Sequence, residues 1–466
     1  MLFTARKAVL LREQRGLPMT EQADGRQRVI GVFGHYGHEN LGDEATTTAV
    51  IQNIHLRVPN AAVVGFSMEP ADTRMRYGIV AHPIRRLSTK PEVLKAVSKG
   101  VTGQAAGRFD GTAILGSSLT RRAKAVIKRI PGSVAVVRYA RLARDAVLAA
   151  PGELLFLYRS YWAVKPLNLL IIAGSNQFLD NFGGAWGFPY TLLKWTLLAR
   201  AARIPVAYMS VGAGPLDGRL SKLFVRLSLT LSDFRSYRDA GSQQLIRALG
   251  YHGADQVVPD LAHSLLIETQ PVRPSGKLIG INPMPVYHHL YWPIVDHARY
   301  AAYLEALTTS AQTLINAGYR VTFFSTQPMD KYVIRDVCDG LANRRVSGFN
   351  CNTVVCDPSQ VMELMDALRE MDIVVATRFH GVLLALSLGK PVLGIAYGRK
   401  TRELMEDMGQ GDYVVTLEGL SARDLETRLT RLIGRAGIEQ DVIRRRAAQY
   451  KADLAAQYQA VFQLCV

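Results

Sequence analysis

Short apolar runs recur along the chain, each followed by a glycine-containing stretch or a segment with helical spacing. Arg28–Gly34 (RVIGVFG), Ala62–Phe66, Asn168–Ala173 (NLLIIA), Pro205–Val211 (PVAYMSV) and Phe234–Tyr237 read as strands. The longer runs are continuous rather than alternating, the pattern of parallel strands buried on both faces. Helices are predicted from about Asp43, over Pro189–Ala202, over Lys222–Leu231 and from Ala240. The stretch Glu268–Lys277 (ETQPVRPSGK) carries two prolines and a glycine among polar residues and reads as a linker. A second series then begins. Leu278–Asn282, Arg320–Phe324, Ile373–Ala376 and Val392–Ala396 are its strands; Tyr300–Ala317, Val361–Glu370 and His380–Leu388 are its helices. The pattern predicts an α/β protein in two halves, 28–267 and 277–435. A C-terminal helical segment, 436–466, follows, with the helix itself over Gln440–Phe462.

Charge singles out one window. The chain has 466 residues, with 56 Lys and Arg against 39 Asp and Glu, a net charge of +17. Residues 81–165 alone hold 16 Lys and Arg against 4 Asp and Glu, so this window reads as a basic helical insertion in the first half. Arg121, Arg122, Lys124, Lys128 and Arg129 interleave with Ala123, Val126, Ile127 and Ile130. Beyond Pro131-Gly132-Ser133, Val136, Ala140, Ala143 and Val147 share a helical face beside Arg138, Arg141 and Arg144. Phe156, Tyr158, Tyr161 and Trp162 add an aromatic patch. Basic amphipathic helices attach to anionic membrane surfaces, and that partner is expected here; the plainer reading is a helical hairpin packed on the first half. No nucleic-acid motif accompanies the charge, so nucleic acid is not an expected partner.

Other classes are set aside by composition. Cys338, Cys351, Cys356 and Cys465 form no CxxC pair, so neither a disulfide framework nor a structural zinc is expected. The first residues, MLFTARKAVLLREQRG, are interrupted by Arg6, Lys7 and Arg12 and lack the apolar core of a signal peptide. No run approaches the roughly 20 apolar residues that span a bilayer. The expected location is cytoplasmic, peripheral on the inner face of the plasma membrane.

Candidate chemistry concentrates where apolar runs end. In Ile373–Lys400 (IVVATRFHGVLLALSLGKPVLGIAYGRK), Arg378 and His380 stand between a strand and a helix. Open α/β sheets bind ligands there, and helix N-termini favour anions. Gly34–Ala45 (GHYGHENLGDEA) occupies the equivalent place after the first strand. Its glycines fit neither the GxGxxG fingerprint nor a P-loop, and its histidines do not form HExxH. Asn40 and Asp43 are suited to capping the helix that follows. Gly174–Gly184 (GSNQFLDNFGG) and Ser210–Leu216 (SVGAGPL) read as two further glycine-rich loops, and Arg238 in SYRD stands at another strand end.

Together GHYGHENLGDEA, SVGAGPL, SYRDAGS, DLAHSL and ATRFHGVLLALSLGKPVLGIAYGRK resemble the polysaccharide pyruvyl transferase family over about residues 28–80 and 166–410. The resemblance implies two facing Rossmann-like domains in a GT-B-like arrangement, the first carrying the basic insertion. It implies transfer of the enolpyruvyl group of phosphoenolpyruvate onto a sugar. The product is a pyruvate ketal, and phosphate is released. The sugar would belong to a cell-envelope or exopolysaccharide glycan, expected to be lipid-linked. Phosphoenolpyruvate is a co-substrate, and neither a cofactor nor a metal is implied. By the same resemblance Arg378 and His380 are the catalytic pair, Arg238 and Lys400 bind the donor, and Asp43 lies on the acceptor or catalytic side; Asn40 and Gly42 beside it, and Gly174 and Gly212 in the glycine-rich loops that would ring the same crevice, are read as lining the cleft. The loop GSNQFLD departs from the glycine run of many relatives, and the basic insertion is not a family feature. The alternatives are a GT-B glycosyltransferase using a nucleotide sugar, or a membrane-tethered scaffold without catalysis. A homo-oligomer is compatible with all of these.

Overall fold

The computed structural model describes residues 27–37, 39–86, 150–267, 277–292, 294–350 and 355–465. Two all-parallel sheets organise them. The first has seven strands: β1 (Val29–Phe33), β2 (Ala62–Ser67), β3 (Val80–Pro83), β4 (Leu169–Phe178), β5 (Val206–Ala213), β6 (Phe234–Tyr237) and β7 (Gln256–Val257). Their order is β3-β2-β1-β4-β5-β6-β7. The second has six: β8 (Leu278–Asn282), β9 (Arg320–Phe324), β10 (Val355–Cys356), β11 (Ile373–Ala376), β12 (Val392–Ala396) and β13 (Val414–Thr416), in the order β10-β9-β8-β11-β12-β13. The direction of winding reverses between β1 and β4 in one sheet and between β8 and β11 in the other. Crevices for ligands open outside the carboxyl ends of strands at such reversals. The loops after β1 and β11, which carry the two principal motifs, lie at these two points.

Helices complete the layers: α1 (Leu41–Arg57), α2 (Pro70–Tyr77), α3 (residues 150–164), α4 (Phe188–Ala201), α5 (Arg219–Thr230) and α6 (Ala240–Ala248) in the first domain. The second has α7 (His297–Asn316), α8 (Asp330–Asn343), α9 (Val361–Glu370), α10 (Phe379–Ser387) and α11 (Arg399–Asp407). Helix α1 is buried nearly all round. Leu41, Ala45 and Ala49 pack into the core of the second domain, whereas Val50 and Ile54 pack into the first. It is therefore a wedge packed into both domains.

Four expectations need correction. First, the glycine-rich stretches after Ala173 and Val211 are not loops at their start. β4 runs to Phe178 and β5 to Ala213, with Ser175 opposite Val211 and Asn176 opposite Gly212. A Cβ on Gly174 would come 2.8 Å from the Ser210 carbonyl oxygen, so this glycine spaces β4 from β5. Second, the separate C-terminal helix is the second half of α12 (Ala422–Phe462), 41 residues long. At 1.5 Å per residue it spans about 60 Å. Ser421 caps its start, accepting from the Asp424 amide. Leu425, Leu429, Leu432 and Ile443 pack in the second core, and Leu454, Tyr458 and Val461 in the first, so one helix ties both domains.

Third, the window 81–165 is not an addition throughout. Its first residues belong to β3, which pairs with β2 (Gly65 opposite Ala81), and its last helix, α3, delivers Val164 to the first core. The basic helices read over 121–147 lie outside the described residues, as does the linker over 268–276. Fourth, α8 has no counterpart among the predicted helices. Among the described residues Cys338, Cys356 and Cys465 are free thiols, and no helix is long and apolar enough to cross a membrane.

Candidate active site

The loop leaving β1 is set by a buried carboxylate. Glu44 Oε1 accepts from the Gly37 amide at 2.8 Å, while its other oxygen meets Tyr77 and lies 3.7 Å from Arg76. Burial raises this carboxyl above its ordinary value, against the pull of Tyr77 and Gly37. Asn40 caps α1, accepting from the Gly42 amide at 3.2 Å and donating to Asp43 at 2.6 Å. The Leu41 amide donates across the domain gap to the Thr326 carbonyl at 3.0 Å. The start of α1 is thereby pressed against the second domain. A Cβ on Gly42 would sit 2.0 Å from His380 Nδ1, so glycine there is what lets the imidazole lie on the helix backbone.

At the facing strand ends, β11 hands the chain through Thr377 to Arg378, the N-cap residue of α10. Arg378 does not face an open crevice. Its Nε donates to Asp330 Oδ1 at 2.8 Å, a terminal nitrogen donates to the Tyr291 hydroxyl, and the guanidinium lies 4.6 Å over the Tyr291 ring. Asp330 is fully buried, and its second oxygen accepts the Thr326 and Gln327 amides at 3.0 and 3.1 Å. Burial disfavours the arginine's charge, but Asp330 outweighs it and raises the guanidinium further. One ion pair therefore fixes both the Arg378 fork and the loop whose carbonyl receives α1.

Around His380 a second group gathers from both domains. Arg238, at the end of β6, donates from Nη1 to Asp260 and from Nε to Asp239, each at 3.4 Å, and lies 4.9 Å over Phe379. Its Nη2 is buried with no hydrogen-bond partner, as is His380 Nε2. A Cβ on Gly212 would be 2.7 Å from that Nη2 and 3.0 Å from Asn176 Oδ1, itself an unpartnered buried acceptor. Burial lowers the His380 imidazole, opposed by Asp260 and Asp43 and reinforced by Arg238 and Lys400. Lys400, in the first turn of α11, is pushed down to about 7 by burial and by Arg238, against Asp239, Asp43 and Asp260. Burial raises the Asp260 carboxyl, yet Arg238 and His380 outweigh it and hold it below the usual range. The N-cap residues of α10 and α11, Arg378 and Gly398, provide no side-chain acceptor for the first helical amides.

The structure thus brings Asp43, Gly42, Arg238, His380 and Lys400 together across the domain gap, with Asn40 and Gly212 behind them. It pairs Arg378 with Asp330 and Tyr291, and sets Gly174 between strands. Sequence reasoning missed Asp260, Asp330 and Tyr291. Asp260 had a usable signal: it caps the short turn Leu261–Ser264 in DLAHSL, accepting from the Ala262 amide at 3.0 Å. Among the described residues no three His, Cys, Asp or Glu side chains are grouped to hold a metal.

Two parallel-sheet domains, bridged by a terminal helix and presenting cations at apposed strand ends, define a GT-B-like protein. The family model for polysaccharide pyruvyl transferase matches residues 40–399, and the chain belongs to that family. The sequence has no match among curated proteins. Solved structures similar to it include UDP-GlcNAc 2-epimerase from Neisseria meningitidis bound to UDP-GlcNAc. That pair shares 13% identity and a TM-score of 0.47, over 90% of this chain and 94% of the other. The S. aureus MnaA–UDP structure shares 10% identity and a TM-score of 0.49, over 90% of each chain. A glycosyltransferase from Rickettsia africae shares 9% identity and a TM-score of 0.48, over 95% and 99%.

Proposed function

We propose that this chain transfers the enolpyruvyl group of phosphoenolpyruvate to two hydroxyls of a sugar in a cell-surface or exopolysaccharide glycan. The observation that carries the reading is the pair of unpartnered buried donor positions, Arg238 Nη2 and His380 Nε2, beside Lys400. Buried polar groups are nearly always satisfied, so such atoms mark where a ligand supplies the partner. The donor carries a carboxylate and a phosphate, and arginine suits such groups geometrically.

Addition of a proton to the donor's methylene carbon makes its second carbon electrophilic, and one sugar hydroxyl adds there. The carbon–oxygen bond to phosphate then breaks, and the second hydroxyl closes the ketal. Two hydroxyl protons are released and one is consumed, the remaining proton passing to phosphate or solvent. His380 is the proton carrier in this scheme. Burial favours its neutral form in the free protein, and an arriving anion raises its proton affinity. Lys400 and Arg238 hold the leaving phosphate and the carboxylate, and Asp43 faces the acceptor hydroxyls. Arg378, committed to Asp330, acts here as a positioning residue that sets the first turn of α10. No metal or cofactor enters the scheme.

Ligand-dependent melting tests it. A ligand that binds only the native state at 100 times its Kd adds about 2.7 kcal/mol of stability. The expected result is a melting shift with phosphoenolpyruvate that Lys400→Ala reduces. A shift with a nucleotide sugar and none with phosphoenolpyruvate would overturn the proposal in favour of a glycosyltransferase.

A further inference from the structure

The outer layer of the first domain carries an apolar surface on the helices that flank β4 and follow β5. Helix α4 lies between α3 and α5. On one side Lys194 pairs with Glu153 at 3.3 Å and Phe156 meets Trp195, their ring centroids 6.4 Å apart. On the other, Trp186 and Tyr190 meet Phe224 at 5.8 and 6.2 Å. The two flanking helices each bury one face and expose apolar residues on the other. In α5, Leu220, Leu223 and Leu227 follow helical spacing on the solvent side. In α3, Leu154 (65% exposed), Tyr158 (62%) and Trp162 (50%) do the same. Leu197 of α4 and Trp186 (67%) stand exposed between them. A soluble surface seldom gathers so many large apolar side chains without a partner.

The polar positions beside these residues are basic. α5 is RLSKLFVRLSLT, with Arg219, Lys222 and Arg226 and no acid. Arg159 and Lys165 flank Tyr158 and Trp162, with Lys165 4.4 Å over the Trp162 ring. The neighbouring acids are engaged: Glu153 with Lys194, Asp233 with Arg200, and Asp180 with the Asp217 and Gly218 amides. Asp217 stands at the rim. Arg86, just before residues 87–149, lies against Gly152, just after them. That stretch holds 12 Lys and Arg against 3 Asp and Glu. This charge argues against two occupants. A second copy of the chain would set like charges face to face, and so would the adjoining stretch of this chain.

We propose that the face formed by α3, α4 and α5 docks on an anionic lipid surface. Leucine and aromatic side chains with interleaved arginine and lysine are the composition of helices that lie in a membrane interface. The basic groups supply attraction to anionic headgroups, and the leucines and tryptophans enter the acyl boundary. The inference does not depend on the reaction proposed above, but it would place the cleft beside lipid-carried acceptors.

The test is co-sedimentation of the full chain with phosphatidylcholine vesicles, with and without phosphatidylglycerol, at low salt. Leu223→Asp/Leu227→Asp and Tyr158→Asp/Trp162→Asp are the variants, and each is also melted and sized. The expected result is binding to the phosphatidylglycerol vesicles alone, weakened about tenfold or more in either double variant, with melting temperature and molecular mass unchanged. Three results would overturn it. The wild type fails to bind anionic vesicles, or the variants bind as well as the wild type. Alternatively, they lose stability or a dimer, which would mean that the face is covered by this chain or by a second copy.

Discussion

The two domains each bring one arginine to the cleft edge, and they use it differently. Arg378 of the second domain is saturated: Asp330 takes two of its nitrogens and Tyr291 a third. Arg238 of the first domain is held more loosely, by Asp260 and Asp239 at 3.4 Å each, and keeps a buried nitrogen without a partner. A guanidinium that is satisfied within the protein is structural in effect, however close it lies to the chemistry. One with an open donor is prepared for a ligand. In the proposed reaction the contrast gives Arg378 a positioning role and Arg238 a binding role, although both stand at strand ends.

The sharpest way to break this contrast is to remove the partner of the saturated arginine. Asp330→Ala leaves the Arg378 cation buried and strips the Thr326 and Gln327 amides of their acceptor. Breaking a buried pair from one side costs about 3–5 kcal/mol. Denaturant unfolding should register a loss of that order, and turnover should fall with it. Asp260→Ala on the other shore should cost less stability, because its arginine is held at longer range. Equal losses at the two aspartates would remove the distinction.

The next effect falls on turnover alone. His380→Ala should lower kcat by about 10²–10⁴-fold, the usual contribution of a positioned proton carrier, with little change in melting temperature. Gly42→Ala should approach this loss by displacing the ring it supports, since its new methyl would overlap the imidazole. Steady-state kinetics on both variants checks the claim. A His380→Ala enzyme of normal turnover would leave the apposed strand ends without their proton carrier.

How far this was legible in the sequence follows from which forces are local. Ile373–Ala376 and Val392–Ala396 are apolar throughout because both faces of a parallel sheet are covered, so their limits were readable to the residue. The ends of β4 and β5 were not. Gly174 makes room for the Ser210 backbone and Gly212 for the Arg238 and Asn176 side chains, and glycine in isolation reads as loop. Helix α12 contains Gly434 and Gly437, so its first half was lost to the same bias. Helix α8 follows Met329, which offers no side-chain cap, and the ion pair of its first residue, Asp330, is with an arginine 48 positions away. His380 and Arg238 were found from their places at strand ends, and Lys400 through motif resemblance. Their grouping with Asp260, and the pairing of Arg378 with Asp330, depend on tertiary packing that no local pattern encodes.

The smallest expected effect is a pH dependence that belongs to the open shore. Lys400 ordinarily titrates near 10.5, and burial beside Arg238 pushes it down to about 7. Between about 7 and 10 the unfolded chain therefore holds a proton there that the folded chain has lost. In the free protein this lysine's contribution to stability grows as pH rises through that window. In the proposed reaction donor binding has the opposite sign, because a phosphate held by Lys400 needs the ammonium. Affinity for phosphoenolpyruvate should be highest near or below neutrality and should weaken by up to about tenfold per pH unit above it. Phosphate monoesters complete their ionisation near pH 6, so calorimetric titration from pH 7.5 to 9.5 isolates the protein's contribution. The slope should vanish in Lys400→Met and persist in Asp43→Asn. A flat profile in the wild-type chain would place the donor's phosphate away from Lys400 and return the whole anionic load to Arg238 and the first turns of α10 and α11.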